Sequence, residues 1–165
     1  MDFSRFDSQL NSDMEKQINE AKANQPTGDG LETPKGSYVA KIEKMELAST
    51  KDGRPMFKVM LRVIEAGENA SDEVREYLGH FKSKMPCLFM NRVIYGTKND
   101  PQMIASVIGW LEKLEPSEMV VFKNYSQFSD LIMDIYEEMV DAVELEVVYD
   151  PDAFNSISIS EVYDA

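Results

Sequence analysis

The sequence contains only one cysteine and one histidine in 165 residues, Cys87 and His80. A single cysteine excludes a disulfide framework, and a structural zinc site needs about four cysteine or histidine ligands. Long apolar runs are missing too, since the longest, such as residues 119–122, are far shorter than the ~20 residues that cross a bilayer. The N-terminus lacks a basic start followed by an apolar core, so we expect no signal peptide. These absences predict a soluble protein of a reducing compartment that holds no metal and no other cofactor.

Length and composition indicate one folded domain. The chain is 43% hydrophobic and 28% charged, which excludes a wholly disordered acidic polymer. A chain of this length buries about two-thirds of its unfolded surface, so it needs no disulfide or metal in order to fold.

The net charge of −13 is divided unevenly along the chain. Residues 1–34 carry −4, residues 35–98 carry +4 and residues 99–165 carry −13. The middle block holds 12 of the 17 lysine and arginine residues. This asymmetry indicates either a polyanion-binding surface beside an acidic region, or an acidic domain whose basic residues are scattered.

The first 34 residues predict a helical arm followed by a linker. Ser12 and Glu15 have capping-box spacing, and apolar residues recur at helical steps over residues 8–23. Residues 24–34 are rich in glycine and proline, which is typical of a linker. We therefore divide the chain into an arm with its linker, residues 1–34, and a main domain, residues 35–165.

The main domain opens with three predicted strands. The first changes its apolar parity near Lys44, which predicts a β-bulge and a bent strand. Asp52-Gly53 predicts a type I′ hairpin turn into a second strand over 56–64. After a polar loop at 67–73, residues 77–95 are predicted to form an irregular third strand.

Two helices and two strands complete the predicted domain. Asp100 and Pro101 predict the cap and first residue of one helix, and an acidic amphipathic helix is expected at about 125–142. The predicted order is three strands, of which the first is long and bulged, then helix, then two strands. An OB-fold has its elements in this order. The predicted fold is mainly β with helices (α+β), a five-stranded OB-fold barrel with an N-terminal helical arm. An α+β sandwich with the same element order is the alternative.

Basic residues concentrate in the half of the domain that OB-folds present to oligonucleotides. Lys58 and Arg62 share the outward parity of the second strand and lie about 13 Å apart along it, or about two nucleotide steps. Aromatic residues occur among the basic ones, as sequence-tolerant single-strand binding requires, although each aromatic taken alone also fits the core. Tyr77 and Phe89 are two of these aromatics. The candidate nucleic-acid-binding residues are Lys44, Lys51, Arg54, Lys58, Arg62, Phe81, Lys82, Lys84, Arg92 and Tyr95.

Three stretches of the sequence carry a resemblance to a known family. They are DFSRFDSQL, the hairpin PKGSYVAKIEKMELASTKDGRPMFKVMLRVIEA, and FMNRVIYGTKND before an amphipathic helix. In these the chain resembles a phage family of OB-fold single-stranded DNA-binding proteins, formerly catalogued as a domain of unknown function. The resemblance covers about residues 1–115 and the last two strands. It implies phage DNA replication or recombination in the host bacterial cytoplasm, and it carries over no base-reading residue.

Enzyme chemistry finds little support in the sequence, and we expect no catalytic activity. Cys87 and His80 are the only residues for a thiol–imidazole pair, and no further motif accompanies them. The carboxylates at 130–141 have a spacing that fits a solvated helix face better than a metal-dependent nuclease centre. No glycine-rich phosphate loop occurs.

The main competing hypothesis is an acidic protein-binding module, either a DNA mimic or an inhibitor of a host nucleic-acid enzyme. The same acidic C-terminal region is also the candidate surface for phage or host replication and recombination proteins, if single-stranded DNA is the main partner. Membrane binding is not expected, and an oligomeric assembly is left open.

Overall fold

One antiparallel sheet of five strands dominates the computed structural model, which describes residues 32–117 and 119–165. The strands are β1 (Gly36–Ser49), β2 (Pro55–Ala66), β3 (Cys87–Val93), β4 (Val143–Asp150) and β5 (Ser156–Asp164). Their order in the sheet is β3-β2-β1-β4-β5. The helix predicted over residues 8–23 and most of the predicted linker lie outside the described residues.

Strand β1 is the centre of the sheet because it pairs with two neighbours. Its first residues, Gly36–Ala40, pair with β4, and nearly its whole length pairs with β2. The register with β2 shifts between Ile42 and Lys44, which confirms the bulge predicted there, and a second shift follows Val39. Such bulges add local twist and bend the strand.

The core lies on one face of the sheet and is formed by alternate residues of each strand. On β1 the bulge changes the parity, so that Ile42 and Met45 both point inward. The other main inward side chains are Phe57, Val59, Leu61, Val63, Leu88, Met90, Leu145, Val147, Ile157 and Ile159.

Among the described residues, three helices accompany the sheet: α1 (Asp72–Gly79), α2 (Asp100–Leu114) and α3 (Tyr125–Met139). Helices α2 and α3 lie between β3 and β4, as predicted, and α3 is the predicted acidic helix. Its buried stripe includes Phe128 and Ile132, and it packs against β1. The Tyr136 hydroxyl donates a hydrogen bond to the carbonyl oxygen of Glu43, at the bulge, over 3.0 Å.

Helix α1 corrects the prediction of a strand that begins at residue 77. Ser71 caps the helix by accepting a hydrogen bond from the Val74 amide at 3.3 Å. Val74, Tyr77 and Leu78 have helical spacing, and all three are buried. Of the polar loop predicted at 67–73, residues 67–70 are a loop, whereas residues 71–73 form the helix cap and first turn. The third strand begins only at Cys87.

Two local predictions are also wrong in detail. The hairpin turn between β1 and β2 is present, but only Gly53, at φ 82°, has a positive φ there, so the turn is not type I′. The cap of α2 is Asn99 instead of Asp100. The Asp100 carboxylate accepts hydrogen bonds from the amides of Gly96 and Thr97, at 3.0 and 2.7 Å, and these bonds stabilise the preceding turn.

The two edge strands, β3 and β5, approach one another without pairing in the described sheet. The Ile157 amide points to the Met90 sulfur at 3.3 Å, and the Trp110 indole of α2 donates to the Ile157 carbonyl at 3.0 Å. A cavity of about 330 Å³ lies between these elements, lined in part by Phe57 and Val107. The sheet is thus open, and the fold is α+β. Across the described residues, no helix is both long and apolar enough to cross a membrane.

Candidate nucleic-acid interface

The strand registers place basic and aromatic side chains together on the side of β1, β2 and β3 opposite the core. Lys44 on β1 faces Met60 on β2, and Met60 faces Phe89 on β3, so the three form one row across the strands. In the neighbouring rows, Lys58 lies opposite Asn91, and Arg62 lies opposite Cys87. We call the side chains of Lys44, Lys58, Met60, Arg62 and Phe89 the outer face.

Acidic neighbours reduce the charge of the outer face. Lys44 pairs with Glu46, with 3.4 Å between the ammonium nitrogen and a carboxylate oxygen, and both side chains are about one-third exposed. Such partly exposed pairs contribute little to stability, so a phosphate can replace the carboxylate at low cost. Glu46 is also the residue of β1 opposite Lys58, so one carboxylate lies beside both lysines of the face.

Arg62 has a more constrained environment than the lysines. Its Nε donates to Glu43 at 3.2 Å, and its Nη1 donates to the carbonyl oxygen of Met85 at 2.7 Å. Only 19% of its side chain is exposed. Arg62 thus connects the β1 bulge to the loop before β3, and its charge is paired with that of Glu43.

A second group of predicted residues lies at the turn between β1 and β2. Arg54 pairs with Asp52 at 3.0 Å, and a Cβ at Gly96 would lie 3.3 Å from Arg54 Cδ. Hydrogen bonds from Thr50 and then Arg54 hold the pKa of the Asp52 carboxyl below its usual value. Lys51 is exposed at the same turn.

Tyr95 precedes Gly96 and therefore lies beside this turn. Its ring is 52% exposed and meets the ring of Tyr125 edge to face at 5.7 Å. The Tyr125 hydroxyl donates to the Ile94 carbonyl at 2.9 Å, and this hydrogen bond holds the Tyr125 ring in place against Tyr95. An exposed aromatic ring on a rigid support beside two cations fits contact with an unstacked base.

Arg92 does not lie on the outer face. It faces Phe57, a core residue of β2, and so has the opposite parity to Lys58 and Arg62. Its guanidinium donates to the carbonyl oxygens of Phe154 and Ala153 in the turn between β4 and β5, at 2.7 and 3.4 Å. Burial lowers the pKa of this guanidinium below its ordinary value.

The remaining predicted residues belong to the segment between α1 and β3 and are not strand residues. Phe81 packs its ring on Tyr77 of α1 at 5.1 Å, while Lys82 and Lys84 are exposed in the loop that follows. Because this segment is not a strand, strand alternation does not set the direction of these three side chains.

Sequence reasoning did not assign three residues to the site that the structure brings to it. Phe89 and Met60 are half-buried on the outer face, and Phe154 is exposed on the turn that Arg92 holds. The register of β2 with β3 would have identified the first two. It places Met60 opposite Phe89, on the same side of the sheet as Lys58. Phe154 gives no periodic signal because it lies in a turn.

The catalytic and metal alternatives gain no geometric support. Burial raises the pKa of the Cys87 thiol to about 11, which disfavours the reactive thiolate at neutral pH. Across the described residues, no three or more His, Cys, Asp or Glu side chains are grouped so that they could hold a metal ion.

No protein-family model matches the sequence, and a search of characterised proteins finds no match. The resemblance to phage single-stranded DNA-binding proteins therefore stays an expectation that rests on the sequence motifs.

Proposed function

We propose that the protein binds single-stranded DNA, with little preference for sequence, on the outer face of β1, β2 and β3. The observation that carries the proposal is the row formed by Lys44, Met60 and Phe89, with Lys58 in the next row. Single-strand binding without sequence preference combines cations along the sugar-phosphate backbone with aromatic rings on which bases stack. The face supplies both on neighbouring strands.

A single strand suits this face better than a duplex. A base can stack on Phe89 only if it is unpaired and not stacked between its neighbours, and the bases of a duplex do not meet this condition. The described helices contribute no basic stripe that could enter a major groove, because α1, α2 and α3 together carry only Arg75 and Lys113.

We also propose that the sheet is an OB-like barrel. The strand order β3-β2-β1-β4-β5 would become that of an OB barrel if β3 and β5 joined. The approach of Met90 to Ile157 and of Arg92 to Phe154 supports this assignment. In such a fold, strands 2 and 3 and the neighbouring loops form the ligand-binding side.

The biological setting we propose is phage DNA replication or recombination in a bacterial host. This part rests on the resemblance of the sequence motifs alone. The exposed carboxylates of α3 are then the surface offered to phage or host replication and recombination proteins.

Anisotropy titration of a fluorescent oligo-dT at several salt concentrations tests the proposal. Binding to phosphates releases counterions, so the logarithm of the binding constant should fall linearly with the logarithm of the salt concentration. The double variant Lys44→Gln/Lys58→Gln removes two cations from the outer face. It should bind more weakly and show a slope smaller by about 1.4, since each phosphate contact to a single strand contributes about 0.7.

The matched control is Lys35→Gln/Lys123→Gln, which removes the same charge at two exposed positions outside the outer face. It should keep the wild-type slope. Equal losses in the two double variants would remove the outer face from the site and leave only a general charge effect.

The alternative, an acidic protein-binding module, is favoured by one observation. Asp130, Asp134, Glu137, Glu138 and Asp141 are all exposed on or just after α3. If the folded wild type binds no oligo-dT even at low salt, this acidic surface becomes the candidate functional site.

A further inference from the structure

Phe154 is the most exposed large apolar side chain among the described residues, at 88%. It lies in the turn between β4 and β5, and a ring so exposed adds nothing to the core. The ring is thus accessible to a ligand.

The backbone of this turn adopts a conformation that L-residues rarely take. Phe154 has φ 56° and Asn155 has φ 55°, both in the left-handed region. Side chains hold the conformation in place: the Tyr149 hydroxyl bonds to the Asn155 side-chain oxygen at 2.9 Å, and the Asp150 carboxylate accepts from the Asp152 amide at 3.0 Å. The turn is thus well ordered although the ring that it carries is exposed.

Arg92 attaches the turn to β3. One guanidinium nitrogen, Nη1, lies 2.7 Å from the Phe154 carbonyl oxygen and 2.9 Å from that of Asn91. Asn91 lies directly opposite Lys58. Arg92 points to the core side of the sheet, so it holds the backbone of Phe154 at the edge of β3 that does not pair with β2. Along the strand, this point is level with the row that contains Lys58 and one row from Phe89.

We propose that Phe154 stacks on an unpaired base of the bound strand, and that Arg92 is the positioning residue that holds Phe154 there. The inference rests on the proposed function and adds a stacking position to those of Phe89 and Tyr95. It also changes the role of Arg92, which affects DNA binding by holding the turn in position and not by contacting a phosphate.

The test of Phe154 uses oligo-dT and an oligomer of the same length with abasic sites in place of the bases. Phe154→Ala should bind oligo-dT about five- to a hundredfold more weakly than the wild type, because one stacked base is lost. Its affinity for the abasic oligomer and its salt slope should be unchanged, since no phosphate contact is removed. Because the ring is exposed, the variant should keep the wild-type melting temperature.

The test of Arg92 uses Arg92→Lys, which keeps the charge but loses the planar fork that bonds to the two carbonyl groups. As a positioning residue, Arg92 should give the same selective loss on oligo-dT, with no further loss in the double variant with Phe154→Ala. If Arg92→Lys instead binds like the wild type and Arg92→Gln lowers the salt slope by about 0.7, Arg92 is a phosphate ligand and its proposed role is wrong.

The outcomes separate the two proposals. A wild type that binds neither oligomer overturns the proposed function and this inference with it. A wild type that binds oligo-dT while Phe154→Ala binds it equally well overturns only the stacking role of Phe154.

Discussion

At the scale of single residues, the lysines and arginines of the middle block have different surroundings. Arg62 and Arg92 use their guanidinium groups to bond backbone carbonyl oxygens of neighbouring loops. Lys44 and Lys51 lie closer to solvent. Guanidinium has several donors in a fixed plane, whereas an ammonium is a compact, mobile charge. We therefore expect the lysines to contact phosphates and the arginines to shape the surface that presents them.

Tyr38 provides a prediction about pH at the same scale. It is fully buried, and its hydroxyl donates to the Pro34 carbonyl at 2.6 Å. Burial, followed by the neighbouring Tyr77 and Tyr149, raises its pKa far above the usual value near 10. A group whose pKa is higher in the folded than in the unfolded state contributes its full stability at pH values below the unfolded-state pKa. That contribution is lost as the pH rises from the unfolded-state pKa through the folded-state pKa.

The free energy of unfolding should therefore be steady near pH 8 and fall steeply above pH 10. In Tyr38→Phe the fall above pH 10 should be smaller. The variant should lose roughly 1 kcal/mol at pH 8, because one hydrogen bond is removed. Urea unfolding at a series of pH values measures both effects, and an unchanged alkaline decline in Tyr38→Phe would contradict this account.

At the scale of elements, strand parity was predictable from the sequence, and so was the bulge near Lys44. Alternation of apolar residues on β2 is regular, so the outward direction of Lys58 and Arg62 follows from a period of two. The pairing partner of each strand cannot be found this way, because register depends on contacts between distant segments. Phe89 was missed as a site residue for that reason.

Helix α1 shows a different limit. Its eight residues contain only three buried side chains, and a short segment with so few apolar positions fits a loop or an irregular strand equally well. The capping hydrogen bond of Ser71 and the packing of Val74 decide the outcome in the folded chain. The predicted positions of Phe81, Lys82 and Lys84 on a strand were wrong as a consequence.

Helix α3 carries the next prediction. Phe128, Ile132, Ile135 and Met139 are buried, whereas the carboxylates are exposed, so a variant with Asp130, Asp134, Glu137 and Asp141 changed to Asn or Gln should fold normally. These charges repel phosphate over about a Debye length, ~10 Å at 0.1 M salt. The variant should therefore bind heparin, duplex DNA and single strands more tightly at low salt, with little gain at high salt.

Circular dichroism and anisotropy at two salt concentrations measure that outcome. A variant that folds but gains no affinity for any polyanion, and that loses a protein partner in pull-downs from cells that express it, would show that α3 is a docking surface. The carboxylates would then have no part in keeping DNA away from this side of the protein.

At the scale of the whole molecule, the chain separates its charge by element. The basic residues lie mainly on β1, β2 and the segments around β3, and the acidic excess lies on α3 and the strands that follow. The uneven distribution of charge along the chain could be predicted from the sequence. The approach of β3 to β5 without pairing could not. The Arg92 guanidinium links β3 to the turn before β5, and the Trp110 indole links α2 to β5, each through a carbonyl oxygen of a distant segment.

The central claim is that the outer face of β1, β2 and β3 contacts the single strand. The most direct measurement is a titration of the isotope-labelled protein with oligo-dT, followed by the NMR shifts of assigned amide groups. We predict the largest shifts at Lys44, Lys58, Met60 and Phe89, with smaller ones at the turns that contain Arg54 and Phe154. Amides from Asp134 to the end of α3 should not move, whereas those near Tyr125 should respond weakly through its contact with Tyr95. Shifts confined to α3, or distributed over the surface without a maximum on the outer face, would contradict the claim.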